Sequence, residues 1–345
     1  MKEYKDIKEH LKKNQYTWLI TGIAGFIGSN LMEALLKLNQ RIVGLDNFIT
    51  GHQENINQVI NMFDIDSDPI DNKFKFIEGD INDLDVCHDA CTNIDYVLHH
   101  AALGSVPRSV SDPISTHNAN INGFLNMLIA SRDNKVKNFV YASSSSIYGD
   151  HPDLPKVEDK IGNPLSPYAV TKLVNEIYAK NFHSTYNFNS IGLRYFNIFG
   201  PRQDPNGAYA AVIPKWIIAM LNDQELFING DGKTTRDFCY IENVIQANIL
   251  SAMTENEDSL NQVYNIAVDD RTSLQDLYLM MGNLIKSSIE DISIPDPTYR
   301  DFQDGDVRHS KGSINKANMY LGYEPSHKIE KGLEKTVEWF IKNRI

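Results

Sequence analysis

The stretch Thr17-Trp18-Leu19-Ile20-Thr21-Gly22-Ile23-Ala24-Gly25-Phe26-Ile27-Gly28 decides the fold. Its first five residues are apolar and partly β-branched, as in a buried strand. Glycines then recur every third residue, and Leu31, Leu35, Leu36 and Leu38 follow in a helical pattern. Strand, glycine turn and helix open a dinucleotide-binding α/β unit. The spacing is Gly-x-x-Gly-x-x-Gly, not the Gly-x-Gly-x-x-Gly of the standard fingerprint. The physics is shared: glycines let the backbone approach a pyrophosphate, and the helix N-terminus meets it with unpaired N–H groups. Gly22, Gly25, Phe26, Ile27 and Gly28 are therefore candidate cofactor contacts. A second strand, 41–46, ends in Asp46, where a carboxylate can bind an adenosine ribose. It would repel a 2′-phosphate, so NAD is expected over NADP. Asn47, Phe48, Thr50 and Gly51 in the next loop join the expected cofactor set.

The alternation continues outward. Residues 74–77 read as a strand, followed by Asp80 and Ile81. Asp80 suits the adenine amine, or a plain helix cap. A fourth strand, 95–100, leads into the small residues Ala101 and Ala102, against which a cofactor can lie. His99 and His100 read as structural. Residues 118–132 are expected to form one helix carrying Asn120, and 138–143 a fifth strand delivering Ser143, Ser144, Ser145 and Ser146 to the carboxyl edge of the sheet. Ligands bind at that edge in such folds.

A helix over 167–186 brings Tyr168 and Lys172 to the same edge. Four residues apart on a helix, they share a face. A nearby ammonium lowers a phenol's pKa, and a tyrosine so tuned acts as a base near neutral pH. Tyr-x-x-x-Lys alone also fits an ordinary exposed helix face, so the upstream motifs carry the argument. A sixth strand spans 190–195, and the alternation then breaks down. We expect a Rossmann-type doubly wound domain over 1–199, a returning segment near 237–255, and a smaller interleaved substrate domain over 200–345.

Bulk properties agree. The 345 residues include 42% hydrophobic and 23% charged, as in a soluble globular protein. A net charge of −12 argues against nucleic-acid or membrane-surface partners. Cys87, Cys91 and Cys239 have no metal-site spacing and read as reduced thiols in a cytoplasm. The charged N-terminus lacks the apolar core of a signal peptide and reads as a short amphipathic helix.

With these motifs in place the chain resembles the extended short-chain dehydrogenase/reductases that act on nucleotide sugars. The resemblance also covers Arg194-Tyr195-Phe196-Asn197, Gly230-Asp231-Gly232 with Arg236-Asp237, and Gly305-Asp306-Val307. Gly104-Ser105-Val106-Pro107-Arg108-Ser109 and the run to Ser310 are similar to bacterial UDP-N-acetylglucosamine 4-epimerases. The resemblance implies a homodimer that binds NAD and a UDP-sugar. It makes Tyr168 the base, tuned by Lys172, which also binds the nicotinamide ribose, with Tyr168 beside the cofactor too and Ser144 holding the reacting hydroxyl. It sets Ser143 and Phe196 beside the nicotinamide, and Asn197 and Arg236 on the diphosphate. Phe227 and Asn229 line the uridine site, with Asp306 on its ribose. Ser105, Ser145 and Val212 complete the substrate set.

Three residue-level arguments refine this reading. Sugar dehydratases of this type carry an Asp-Glu pair where Ser145 and Ser146 stand, and two serines cannot supply that acid and base. Galactose-specific epimerases often place a bulky Tyr where Ser310 falls, so a small side chain leaves room for an N-acetyl group. Gln303 occupies a position that is usually Arg, with Arg300 or Arg308 as substitutes for its phosphate contact. The alternatives are a UDP-glucose/UDP-galactose epimerase and an epimerase for a UDP-hexosaminuronic acid. The latter needs a cation at the sugar, for which Arg108 is the candidate. A non-catalytic NAD sensor on the same fold is a further alternative.

Overall fold

A computed structural model describes residues 3–63, 73–206, 210–302 and 307–343. The amphipathic helix α1 (Tyr4–Lys13) buries Ile7 and Leu11. There follow β1 (Thr17–Thr21), α2 (Phe26–Lys37), β2 (Arg41–Asp46), α3 (Gln53–Asn61), β3 (Phe74–Glu78), α4 (Leu84–Ala90) and β4 (Tyr96–His99). Then come α5 (Val106–Ser111), α6 (Pro113–His117), α7 (Gly123–Asp133), β5 (Asn138–Ser144), α8 (Pro167–Tyr186) and β6 (Ser190–Tyr195). These strands pair in parallel, with β1 between β2 and β4. Both faces are covered by helices, so the strands read as apolar runs rather than alternations.

The second half is β7 (Ile198–Phe199), α9 (Val212–Leu221), β8 (Leu226–Asn229), β9 (Thr235–Arg236), β10 (Cys239–Tyr240) and α10 (Ile241–Met253). It continues with β11 (Val263–Ile266), β12 (Thr272–Ser273), α11 (Leu274–Ser288), β13 (Pro297–Arg300), α12 (Asn315–Leu321) and α13 (Ile329–Asn343). The chain is thus interleaved. Helix α10 packs on β4, β5 and β6, and β11 adds to β6 as the last member of the seven-stranded sheet. Strand β11, four residues amid loop and helix, is too short to leave a periodic signal in the sequence. Three small two-stranded sheets, β7/β10, β8/β13 and β9/β12, build the remainder.

One expected helix differs. Residues 118–132 do not form a continuous α-helix from Asn118. The helix starts at Pro113 (α6), opens into a π-turn over Asn118–Asn122, and resumes as α7. Asn120, inside that turn, accepts from Leu103 N at 2.7 Å and donates to Leu103 O at 3.1 Å. Such an insertion re-aims side chains locally, and here it delivers an amide to the strand-end loop.

Candidate active site

Two clefts open at the carboxyl ends of the parallel strands. The first is lined by Gly22, Gly25, Asp46, Gly51, Asp80 and Ala101, among others. Gly22 has φ +71°, and a Cβ there would lie 2.8 Å from Ala101 N, so only glycine permits this turn against β4. A Cβ on Gly28 would lie 2.1 Å from Gly22 O, which is how α2 sits so close to its own turn. The N-terminus of α2 has no side-chain cap and no acid in its first turn, so its N–H groups are free for an anion. Asp46 accepts from Ala24 N at 2.9 Å and Phe48 N at 2.8 Å, one bond to each oxygen. Each oxygen keeps a lone pair for a diol. Burial pushes this carboxyl's pKa up, and the backbone donors oppose the shift. These residues fit NAD: the N-terminus of α2 suits a pyrophosphate, Asp46 suits a ribose diol, and its carboxylate would repel an added 2′-phosphate.

Other expected cofactor residues divide. Asn47 donates to Asp80 at 3.1 Å, and Asp80 also accepts from Asn82 N at 2.8 Å. Asp80 therefore stays on the cleft wall, and the cap of α4 is Asp83, which accepts from Asp85 N and Val86 N. Thr50 and Ile81 line the same cleft, as does Ala102. Phe26 and Ile27 form the first turn of α2, and Phe48 packs on Phe76. Asn120 is fully engaged by Leu103 and by Thr171 Oγ at 3.1 Å, so it shapes the wall through Leu103. His99 bonds Thr21 and His100 bonds Tyr195, at 2.8 and 2.9 Å; His99 stays within the structural frame, and His100 also lines the first cleft.

The second cleft, of about 460 Å³, is lined by Ser144, Ser145, Tyr168, Asn197, Arg236 and Ser310 among others. Its volume lies in the range of small-ligand sites. Ser166 caps α8 by accepting from Ala169 N at 3.2 Å, with Pro167 at the first position, so the helix begins one residue before Tyr168. Lys172 lies one turn on, its Nζ 5.9 Å from the Tyr168 ring centre and donating to Ala142 O at 2.8 Å. Burial lowers its pKa to about 8. The Tyr168 phenol departs from expectation. Its pKa is raised by burial, which outweighs the hydrogen bond with Ser144 that lowers it. In the free protein, then, desolvation dominates the phenol's titration, and Lys172 is held on the strand carbonyl.

The other residues expected to meet the substrate are placed as follows. Ser143 donates to Glu176 at 2.6 Å and is only 2% exposed, so its hydroxyl points into the frame and leaves its main chain for any ligand. Glu176 holds Arg194 in a buried bidentate pair at 2.9 and 2.7 Å. Arg194 in turn donates to Tyr148 OH and Glu158 O, both at 3.0 Å. This network ties α8, β5 and the loop after β5 to β6. Phe196 is fully buried against Tyr148 and beneath Gly312. Asn197 donates to Asp237 O at 3.1 Å at the cleft. Asp237 accepts from Val268 N and Gly312 N, and burial raises its pKa to about 7.

Ser105 is spent capping α5, accepting from Arg108 N at 3.1 Å, and Val212 opens α9. Asn229 pairs with Arg300 across β8/β13, and Arg300 lies over the Phe227 ring at 3.1 Å. Arg308 pairs with Asp231 at 2.6 Å. Both substitutes considered for the Gln303 position are therefore committed locally. Gln303 and Asp306 lie outside the described residues. Sequence reasoning missed Lys156, Leu165 and Ser166 in the cleft wall. They come from the strap between β5 and α8, whose irregular backbone leaves no periodic signal. Among the described residues no cluster of His, Cys, Asp or Glu forms a metal site, and no helix is long and apolar enough to cross a membrane.

The strand–glycine–helix turn on a seven-stranded parallel sheet defines a dinucleotide-binding α/β protein, with Tyr168, Lys172 and Ser144 brought together beside a second cleft. Residues 18–267 match the NAD dependent epimerase/dehydratase family, and the chain belongs to that family. Its cofactor is NAD. A putative UDP-glucose 4-epimerase of Methanocaldococcus jannaschii is 34% identical over 94% of this chain and 98% of its own. Among solved structures, a Methanobrevibacter ruminantium UDP-N-acetylglucosamine 4-epimerase bound to UDP-N-acetylmuramic acid superposes with a TM-score of 0.85. It is 36% identical, over 96% of this chain and 99% of that one. A Bacillus cereus UDP-glucuronic acid 4-epimerase, solved with UDP-glucuronic acid and NAD, has a TM-score of 0.82 at 31% identity, over 95% of this chain and 99% of that one.

Proposed function

We propose that this protein interconverts UDP-N-acetylglucosamine and UDP-N-acetylgalactosamine by inverting C4. The broader class, an NAD-dependent nucleotide-sugar 4-epimerase, rests on the family and its relatives. The observation that supports the finer reading is the second cleft: Tyr168 and Ser144 on one wall, with Ser145 and Ser310 as small neighbours and no carboxylate among its described lining. A wall without acids cannot drive water elimination, and a serine at 310 leaves space beside the sugar.

In this reading Ser144 accepts or donates at the sugar 4-hydroxyl and Tyr168 takes its proton. NAD, which the Gly22–Gly28 turn and Asp46 would hold, would supply the acceptor and donor for the C4 hydride. The 4-keto sugar then pivots about its diphosphate, held by Asn197 and Arg236, and presents its other face. Tyr168 gives the proton back, and the configuration is inverted. Lys172 favours the phenolate by its charge. The test is product analysis of purified protein with UDP-GlcNAc, UDP-Glc and UDP-GlcNAcA separately, with no added NAD. Conversion of UDP-GlcNAc to its C4 epimer, lost in Tyr168→Phe, is the expected result. Net water loss or NADH release would overturn the reading. We also take the exposed Ile114 and Ile177 on α6 and α8 as part of a dimer face. Light scattering should then give twice the 39.1 kDa chain mass.

A further inference from the structure

We infer that the second cleft contains a subsite for an anionic substituent on the sugar ring, with Lys156 as its cation. The inference rests on the nucleotide-sugar function proposed above and adds the charge of the sugar to it. Lys156 lies on the strap between β5 and α8. It is only 5% exposed, yet it lines the cleft. Its backbone is fixed: Lys156 N donates to Lys311 O at 2.7 Å, and Lys156 O accepts from Ser313 N and from Asn265 Nδ2, both at 2.9 Å. Asn265 also accepts from Tyr148 OH, so the strap is joined to the Arg194 network.

The ammonium donates to the His151 carbonyl, its one hydrogen-bond partner among the described residues, and no carboxylate there pairs with it. An ammonium carries three donors, so two remain. Burial pulls its pKa down, and the charge of Asp153 only partly offsets this. A half-desolvated cation whose one charged neighbour, Asp153, forms no ion pair with it is costly, and a ligand carboxylate relieves that cost.

The lining supports a ligand of that charge. The protein carries −12 overall, yet the described lining of this cleft holds two cations, Lys156 and Arg236, and no acid. Arg236 with Asn197 suits a diphosphate. Lys156 is surplus to that need and shares its wall with Ser145, Ser146 and Tyr148. A ring carboxylate could accept from the ammonium and from Ser145 Oγ together, since Tyr148 OH donates to Asn265 and Ser146 Oγ to Ser144 Oγ. Arg108, the cation expected from sequence, lies on α5, which contributes Val106, Pro107 and Val110 to the lining instead. The subsite thus fits UDP-N-acetylhexosaminuronates, bound there in addition to the neutral sugars.

The test is calorimetric titration of the NAD-loaded protein with UDP-GlcNAc and UDP-GlcNAcA, for wild type, Lys156→Met and Lys156→Arg. Wild type should bind the acidic sugar at least as tightly as the neutral one. In Lys156→Met the preference for the acid should fall by about tenfold or more, the scale of one charge-assisted hydrogen bond. Lys156→Arg should restore most of it. An unchanged acid-to-neutral ratio in Lys156→Met, or no binding of UDP-GlcNAcA to wild type, overturns the inference. Turnover is read separately. Epimerisation of UDP-GlcNAc with an unmoved ratio leaves the proposed function standing and removes the subsite. A ratio that moves without any epimerisation does the reverse.

Discussion

Replacing Lys172 with Met should convert the pH dependence of the reaction, not merely its rate. Lys172 is 4% exposed, and its ammonium lies 5.9 Å from the centre of the Tyr168 ring. With an effective dielectric of about 20, a unit charge at that range stabilises a phenolate by roughly 3 kcal/mol, or about two pKa units. Burial already raises the Tyr168 pKa, so a neighbouring positive charge is what would bring the phenol down. Near pH 7 the variant should therefore lose about 100-fold in kcat/KM. The sign with pH follows from the lysine's own titration. Its pKa is lowered to about 8, so the wild type holds the charge below that value and sheds it above. The advantage of wild type over Lys172→Met should be largest below pH 8 and shrink as pH rises, while the variant's rate climbs with phenolate formation. The assay is a kcat/KM profile with UDP-GlcNAc from roughly pH 6 to roughly pH 9.5. A wild-type-to-variant ratio that stays flat across that range would refute electrostatic tuning and leave Lys172 a packing residue.

Three further outcomes are expected. Gly28→Ala puts a methyl against Gly22 O and Ile23 Cα, both backbone, so the turn must move; we expect a loss of about 1–3 kcal/mol in thermal or urea unfolding and less NAD co-purifying. Arg194→Met strands Glu176 in the interior and should cost about 3–5 kcal/mol by denaturant titration, well beyond the effect of an exposed arginine. Ser310→Tyr should lower kcat/KM for UDP-GlcNAc about tenfold or more relative to UDP-Glc, and equal effects on both sugars would remove the gate role.

Much of this protein was legible one residue at a time. The glycine turn, Asp46 at the end of β2, and the α8 boundaries follow from local rules: backbone freedom, periodicity and capping act over a few neighbours. So does the presence of Tyr168 and Lys172 on one helix face, because i and i+4 are neighbours on any helix. The use of each polar group was not legible, because a hydrogen bond partner can come from anywhere in the chain. Ser143 looked like Ser144 in sequence, yet one hydroxyl goes to Glu176 and the other stays at the cleft with Tyr168. Asn120 looked like a ligand residue and proved to be a clamp on Leu103.

By itself, the sequence determined the α/β class, the glycine turn before α2 and the placing of Tyr168 and Lys172 on one helix, since each is written in nearby residues. Only the tertiary structure decided that β11 completes the sheet, that the phenol is desolvated, and that Lys156 enters the cleft wall while Arg108 does not. Burial and charge environment are sums over distant segments, and no short window of sequence contains them.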